Sequence, residues 1–255
     1  MRETTWLKGT VLLAYILVII MNVVANTLPL FGRTTGAISN QFDALFTPAG
    51  ITFSIWGLIY LLLGFFVVRF MTYDGSIDRV LFRKTAIWFC VSCVFNIAWL
   101  FAWHAVFIVW AMAALFFLTH AIGRLVVLIH ESYANGSGFE KTTFTLYLGW
   151  VSVATIANVT IWLVSLDLTD PFGRASVIGT AAILLVGAVM AILVNHYLGS
   201  LVYGLVFIWA YAGILLKQFE RAIPVPWLLV ASAVISMALI IGVSLLLRFR
   251  KRQTT

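Results

Sequence analysis

Charge is what this sequence has least of: 10% of its 255 residues are Asp, Glu, Lys or Arg, against 63% that are hydrophobic. A soluble domain carries about 25% charged residues and about half apolar ones, so these few charges do not cover a water-exposed surface. A soluble globular protein is thereby excluded. The short alternation of apolar and polar residues that marks a transmembrane β-barrel, in segments of about ten residues, is missing as well. Acidic groups number only nine, and all of them fall between or at the ends of apolar runs. The paired intramembrane carboxylates of an ion-coupled pump or transporter are therefore absent.

Reactive groups are equally sparse. The two cysteines, Cys90 and Cys93, form a C-x-x-C pair, a spacing that suggests redox chemistry in a βαβ setting. Here it lies within an apolar run with no charged neighbour to hold a thiolate, and it reads as two small packing residues on one helix face. His104, His120, His130 and His196 show no metal-ligand spacing. No phosphate loop, G-x-S-x-G or nucleotide-binding module occurs. His120 and Arg124 share a helix face, which reads as interfacial snorkelling. The sequence thus assigns no catalytic residue, no metal and no resident cofactor.

What is present is a series of long apolar runs. Eight lie at about 9–28, 51–68, 85–103, 106–122, 144–166, 175–194, 198–216 and 227–247, each close to the roughly 20 residues that cross a bilayer as a helix. The stretch 175–216 also fits one span and a re-entrant piece. The first run is too long for the apolar core of a signal peptide and is expected to be an uncleaved span. The fold class expected is all-α, a polytopic membrane helical bundle in contact with the lipid bilayer.

With eight spans both termini share a side. Twelve of the sixteen basic residues fall on that side, among them Arg79, Arg83, Lys84 and the tail Arg248, Arg250, Lys251 and Arg252, while Arg33, Arg174, Lys217 and Arg221 fall on the other. This bias predicts a multi-pass protein with both termini cytoplasmic, for which the cytoplasmic (inner) membrane is the default location. The net charge of +7 is accounted for by these orientation signals and by a tail suited to anionic headgroups, so no nucleic-acid partner is expected. The longest non-apolar segment on the outer side, 29–48, holds Gly32, Gly36, Asn40 and Asp43 and reads as a loop, not a buried element, of a length often used as a lid or binding segment.

Tryptophan, tyrosine and asparagine recur at helical spacing. Phe53, Trp56, Tyr60 and Gly64 line one face of the second span; Cys93, Asn96, Trp99 and Trp103 one face of the third; Tyr147, Trp150, Ala154, Asn158 and Trp162 one face of the fifth. The first span adds Tyr15, Asn22 and Asn26. An asparagine amide is costly against lipid, so these stripes are expected to face inward. One reading is a largely apolar, aromatic-lined cavity with a few amides beneath the 29–48 loop, suited to a flat or bulky hydrophobic ligand. The other is that the stripes only pack helices and anchor them at the interface.

The same residues carry a family resemblance. Phe46-Thr-Pro-Ala-Gly-Ile-Thr-Phe-Ser-Ile-Trp56-Gly-Leu-Ile-Tyr60-Leu-Leu-Leu-Gly64 resembles the first-loop and second-helix signature of the tryptophan-rich sensory protein family (TspO/MBR, the translocator-protein or peripheral-type benzodiazepine-receptor family). Phe95-Asn96-Ile-Ala-Trp99 is similar to its third-helix N-x-x-W motif, and Tyr147 to Asn158 to its fifth-helix pattern of Tyr, Trp, Ala and Asn. The resemblance implies a five-helix bundle, usually a homodimer, that binds porphyrins, sterol-like lipids or synthetic aromatic ligands in a pocket under the first loop. It implies a porphyrin site at Trp56 and Trp150, pocket-wall positions at Ala154 and Asn158, and helix-three positions at Asn96 and Trp99.

Departures from the pattern are visible. Phe46 and Ala49 replace the first Trp and second Pro of the family's W-x-P-P-x-W loop, and Leu100 follows Trp99 where Ser is usual. The chain also continues well past five helices. A TspO-like five-helix core at 1–166 is thus expected, followed at 167–255 by about three extra C-terminal transmembrane helices with the basic tail. The function expected is binding of a tetrapyrrole or sterol-like molecule, as sensor or translocator. The alternatives are a transporter completed by the added helices, an enzyme that degrades bound porphyrin with Trp56 and Trp150 as redox-active side chains, and a helper that binds other membrane proteins.

Overall fold

The computed structural model describes residues 2–28, 30–42, 44–72, 78–132, 138–166, 173–221 and 225–253. Pro29 and Asp43 of the first-loop segment lie outside the described residues, as do the side chains of Arg2, Arg250, Lys251 and Arg252. The described helices are α1 (Arg2–Thr27), α2 (Thr35–Gln41), α3 (Ile55–Met71), α4 (Arg79–His104), α5 (Ile108–Ser132), α6 (Gly138–Ser165), α7 (Arg174–Leu198), α8 (Val202–Phe219) and α9 (Trp227–Gln253), with 3-10 turns at Leu30–Gly32 and Gly50–Ser54. All but α2 are long and apolar enough to cross a membrane, and no strand occurs among the described residues. The protein is an all-α, multi-pass integral membrane protein.

Local chemistry explains where the helices start and stop. The Asp78 side chain accepts a hydrogen bond from the Leu81 amide at 3.0 Å, capping α4 ahead of its apolar run and bringing Arg79, Arg83 and Lys84 into the first two turns. The stretch 175–216 is two helices, not one span with a re-entrant piece. Gly199 ends α7 in the left-handed conformation at φ 61°, and its amide and that of Ser200 turn back to the His196 and Asn195 carbonyls. Between α4 and α5 the turn is so tight that Val106, a β-branched residue, is held at φ 59°.

The chain forms two compact units. The first comprises Met1–Gln41 and Ile55–Val151, the second Phe42–Ser54 and Ser152–Thr255. In the first unit α4 is the central helix, packed along both α1 and α5. At the end where α3 finishes and α4 and α6 begin, its core is phenylalanine. Phe66 meets Phe89 at 5.3 Å and Phe144 edge-on at 4.8 Å, and Phe70 stacks on Phe82 at 4.2 Å. Beside this layer the Arg69 guanidinium lies 2.6 Å from the Glu140 carboxylate.

The second unit is built on α7, α8 and α9, with α7 packed along α9 and both against α8. Asn195 of α7 ties the three together: its amide donates to Ser244 Oγ of α9 at 3.1 Å, and its oxygen accepts the Gly204 amide of α8 at 3.0 Å. A side chain at Gly204 would collide with the Asn195 amide and Ile240, so this position must be bare.

The 29–48 segment differs from the loop expected. It contains α2, whose Thr35, Ile38 and Ser39 are buried, and a buried run from Ala44 to Ala49. Burial is tolerated because distant side chains satisfy its backbone. In the first unit the Trp103 indole donates to the Thr35 carbonyl at 3.3 Å. His104, fully buried, bonds the Leu100 carbonyl at 2.8 Å and faces the Thr35 hydroxyl at 3.4 Å. A carbonyl only accepts, so Nδ1 of His104 carries a proton directed at Leu100.

Candidate functional site

The first unit gathers most of the expected site residues at the end opposite the phenylalanine layer. Trp56, in the first turn of α3, is the hub. Its ring stacks on Tyr60 at 5.4 Å and on Trp99 of α4 at 5.6 Å. Tyr147 and Trp150 of α6 meet the same ring edge-on at 6.0 and 6.2 Å. Trp99 in turn stacks on Trp103 at 6.3 Å. The steps of three and four residues read from the sequence are what bring each of these rings to one face of its helix. Aromatic pairs of this kind are each worth about 0.5–1.5 kcal/mol beyond burial, so the cluster stabilises the unit as well as offering flat faces.

A polar network runs beside the rings. The Tyr60 hydroxyl donates to the Asn22 oxygen of α1 at 2.8 Å. The Asn22 amide donates to the Asn96 oxygen at 3.1 Å, and the Asn96 amide donates to the Tyr147 hydroxyl at 3.1 Å. Four helices, α1, α3, α4 and α6, thus meet at Asn96, which is fully buried. Tyr15 extends the arrangement by donating to the Tyr60 carbonyl at 3.0 Å. It lies against Gly64, where an added Cβ would stand 2.6 Å from the Tyr15 hydroxyl.

A buried donor stands within the cluster. The Trp99 indole nitrogen is buried, with the residue 4% exposed, and has no hydrogen-bond partner among the described residues. An unmet buried N–H costs about 1–3 kcal/mol. In an aromatic setting it is also a point at which an acceptor on a ligand is recognised.

Other expected site residues lie elsewhere. Asn26 is exposed and donates only to the Asn22 carbonyl of its own helix at 2.8 Å. The structure does not bring it to the cluster. Phe53, Ala154 and Asn158 belong to the second unit. Phe53 and Ala154 are half-buried; Asn158 is buried and donates to the Ala154 carbonyl at 3.0 Å. Asn158 follows Trp150 by two helical turns on α6, as its spacing predicts.

The remaining polar features take structural positions. His120 meets Trp88 edge-on at 5.7 Å and Arg124 lies over the same ring at 5.7 Å, so the shared face read from the sequence is a packing face on α4. Cys90 and Cys93 are free thiols, and Cys93 is buried. Among the described residues no three His, Cys, Asp or Glu side chains gather as metal ligands. Tyr15 and Trp103 complete the cluster although neither was among the site residues expected; their place on the same helical stripes was the signal available.

No curated protein and no solved structure matches this chain. A family model does, described as TSPO-like protein, and its match runs over residues 6–246, from the first spanning helix to the eighth. The match takes in the Trp56 cluster and the three C-terminal helices alike, and on it the chain belongs to the TSPO-like protein family.

Proposed function

We propose that the protein binds a flat hydrophobic ligand, a tetrapyrrole such as a porphyrin or a sterol-like lipid, at the Trp56 cluster, and that it acts as a sensor. The observation that carries this reading is the set of four rings around one half-buried tryptophan, bordered by an amide network and by the unmet Trp99 N–H. Ring faces supply dispersion for a planar molecule, and the indole N–H supplies one directional contact to a carbonyl or carboxylate on it. Trp56, Tyr60, Trp99, Tyr147 and Trp150 are the contacts proposed, with Asn22 and Asn96 fixing their positions. Porphyrin is a ligand in this reading, not a resident cofactor.

A translocator or transporter is the second reading, and the phenylalanine layer weighs against it. Phe66, Phe70, Phe82, Phe89 and Phe144 offer no hydrogen bond to a polar substituent, and the Arg69–Glu140 pair stands beside them. A ligand crossing the first unit lengthwise would have to part that layer. Porphyrin breakdown is a third possibility on family grounds alone, with no acid–base pair beside Trp56 and Trp150 to support it. The proposal includes an inner-membrane location with both termini cytoplasmic, a homodimer, and a binding core within 1–166 to which 167–255 is an addition.

Proteoliposomes separate the readings. Saturable retention of protoporphyrin IX without net transfer across the bilayer supports the sensor. Transfer that depends on Asn22 and Asn96 replaces it with a transporter, and absence of saturable retention removes the porphyrin proposal.

A further inference from the structure

The second unit contains an arrangement that the ligand cluster does not explain. The segment from Ala44 to Thr52, which leads into α3, lies against α8. The Gln218 amide donates to the Leu45 carbonyl at 3.0 Å and Arg221 to the Ala44 carbonyl at 3.4 Å. The Ala49 amide donates to the Gly213 carbonyl at 2.9 Å, and the Trp209 indole donates to the Thr52 carbonyl at 3.0 Å. Phe46, fully buried, meets Tyr211 edge-on at 6.4 Å.

These contacts form a matched set. Four backbone groups of the segment are met by Trp209, Gly213 and Gln218 of α8 and by Arg221 just past its end. Gly213 permits the approach: a Cβ there would overlap Thr52 Oγ1 and lie 2.9 Å from Thr52 Cβ, an atom fixed to the backbone. Buried carbonyls without such donors would each cost about 1–3 kcal/mol.

We infer that α8 is a clasp that holds the Ala44–Thr52 segment in one register within the second unit. On this account the segment is a fixed element and does not swing as a lid.

Hydrogen–deuterium exchange on the full-length protein in detergent tests the clasp without any ligand. In the wild type, amides of 44–52 are expected to exchange at least 100-fold more slowly than an unstructured peptide. Gly213→Val and the double variant Trp209→Phe/Gln218→Leu are each expected to raise that exchange at least tenfold, with peptides of α4 unchanged. Wild-type exchange at the unstructured rate overturns the inference. So does continued protection in the double variant, which decides the matter should Gly213→Val disturb the packing of α7 and α9.

Discussion

Asn96→Leu is the substitution that most sharply separates a structural amide from a decorative one. Leucine keeps the branched shape and is no smaller, so no cavity is added, but it removes both good hydrogen bonds of the side chain, to Asn22 and to Tyr147 at 3.1 Å each. Interhelical hydrogen bonds in membrane bundles average about 0.6 kcal/mol and reach about 1.7. Two of them give about 1–3 kcal/mol, and the stranded hydroxyl of Tyr147, a residue 2% exposed, adds about 1 kcal/mol. The expected loss is therefore about 2–4 kcal/mol on these values. Asn26→Leu is the control: its amide serves only its own helix, and its cost is expected within about 0.5 kcal/mol of zero. Equilibrium unfolding in mixed micelles, read by far-ultraviolet circular dichroism, measures both. Equal costs for the two variants, or an Asn96→Leu loss under about 0.5 kcal/mol, would refute the network as described.

Three further substitutions test the packing. Gly64→Ala is expected to displace the Tyr15 hydroxyl from the Tyr60 carbonyl and cost about 1 kcal/mol, whereas in a Tyr15→Ala background it becomes stabilising by about 0.5–1 kcal/mol because alanine favours the helix; the same sign in both backgrounds would contradict the close approach. Val106→Gly relieves a left-handed backbone at φ 59° and is expected to leave stability unchanged or raise it by up to about 1 kcal/mol, the strain outweighing the entropy of glycine in the unfolded chain; a loss above that size would show that the turn is not strained. Gly204→Ala is expected to break the contact of Asn195 with α8 and cost about 1–3 kcal/mol by overpacking, seen as earlier unfolding of α7–α9 in exchange measurements.

The spanning helices were legible because hydrocarbon demands uninterrupted apolar runs, and a run of that length has few other readings. Most of the aromatic cluster was legible for a similar reason: Trp56, Tyr60, Asn96, Trp99, Tyr147 and Trp150 sit on stripes that a period of 3.6 brings to one face. Asn26 shows the limit of that reasoning. It follows Asn22 by one turn, yet Asn22 finds Tyr60 and Asn96 across the helix packing, while Asn26 is exposed and bonds its own backbone. Spacing gives the stripe but not how far along it a neighbouring helix reaches. The Ala44–Ala49 run was hidden for a different reason. It belongs to a segment that reads as a surface loop from Gly32, Gly36, Asn40 and Asp43, and the groups that allow its burial lie on α8, 173 residues from Leu45 in the case of Gln218 and 157 from Thr52 in the case of Trp209. Nothing in a local window of sequence signals partners so remote.

The central claim is that the rings around Trp56 receive a ligand, and a titration tests it most directly. Protoporphyrin IX is added to purified wild type and to a Trp56→Ala/Trp150→Ala variant, following the porphyrin's own absorbance because ten tryptophans obscure intrinsic fluorescence. The account predicts saturable binding by the wild type and its loss in a variant that keeps wild-type helicity. Equal binding by both proteins, or no saturable binding by either, would contradict it.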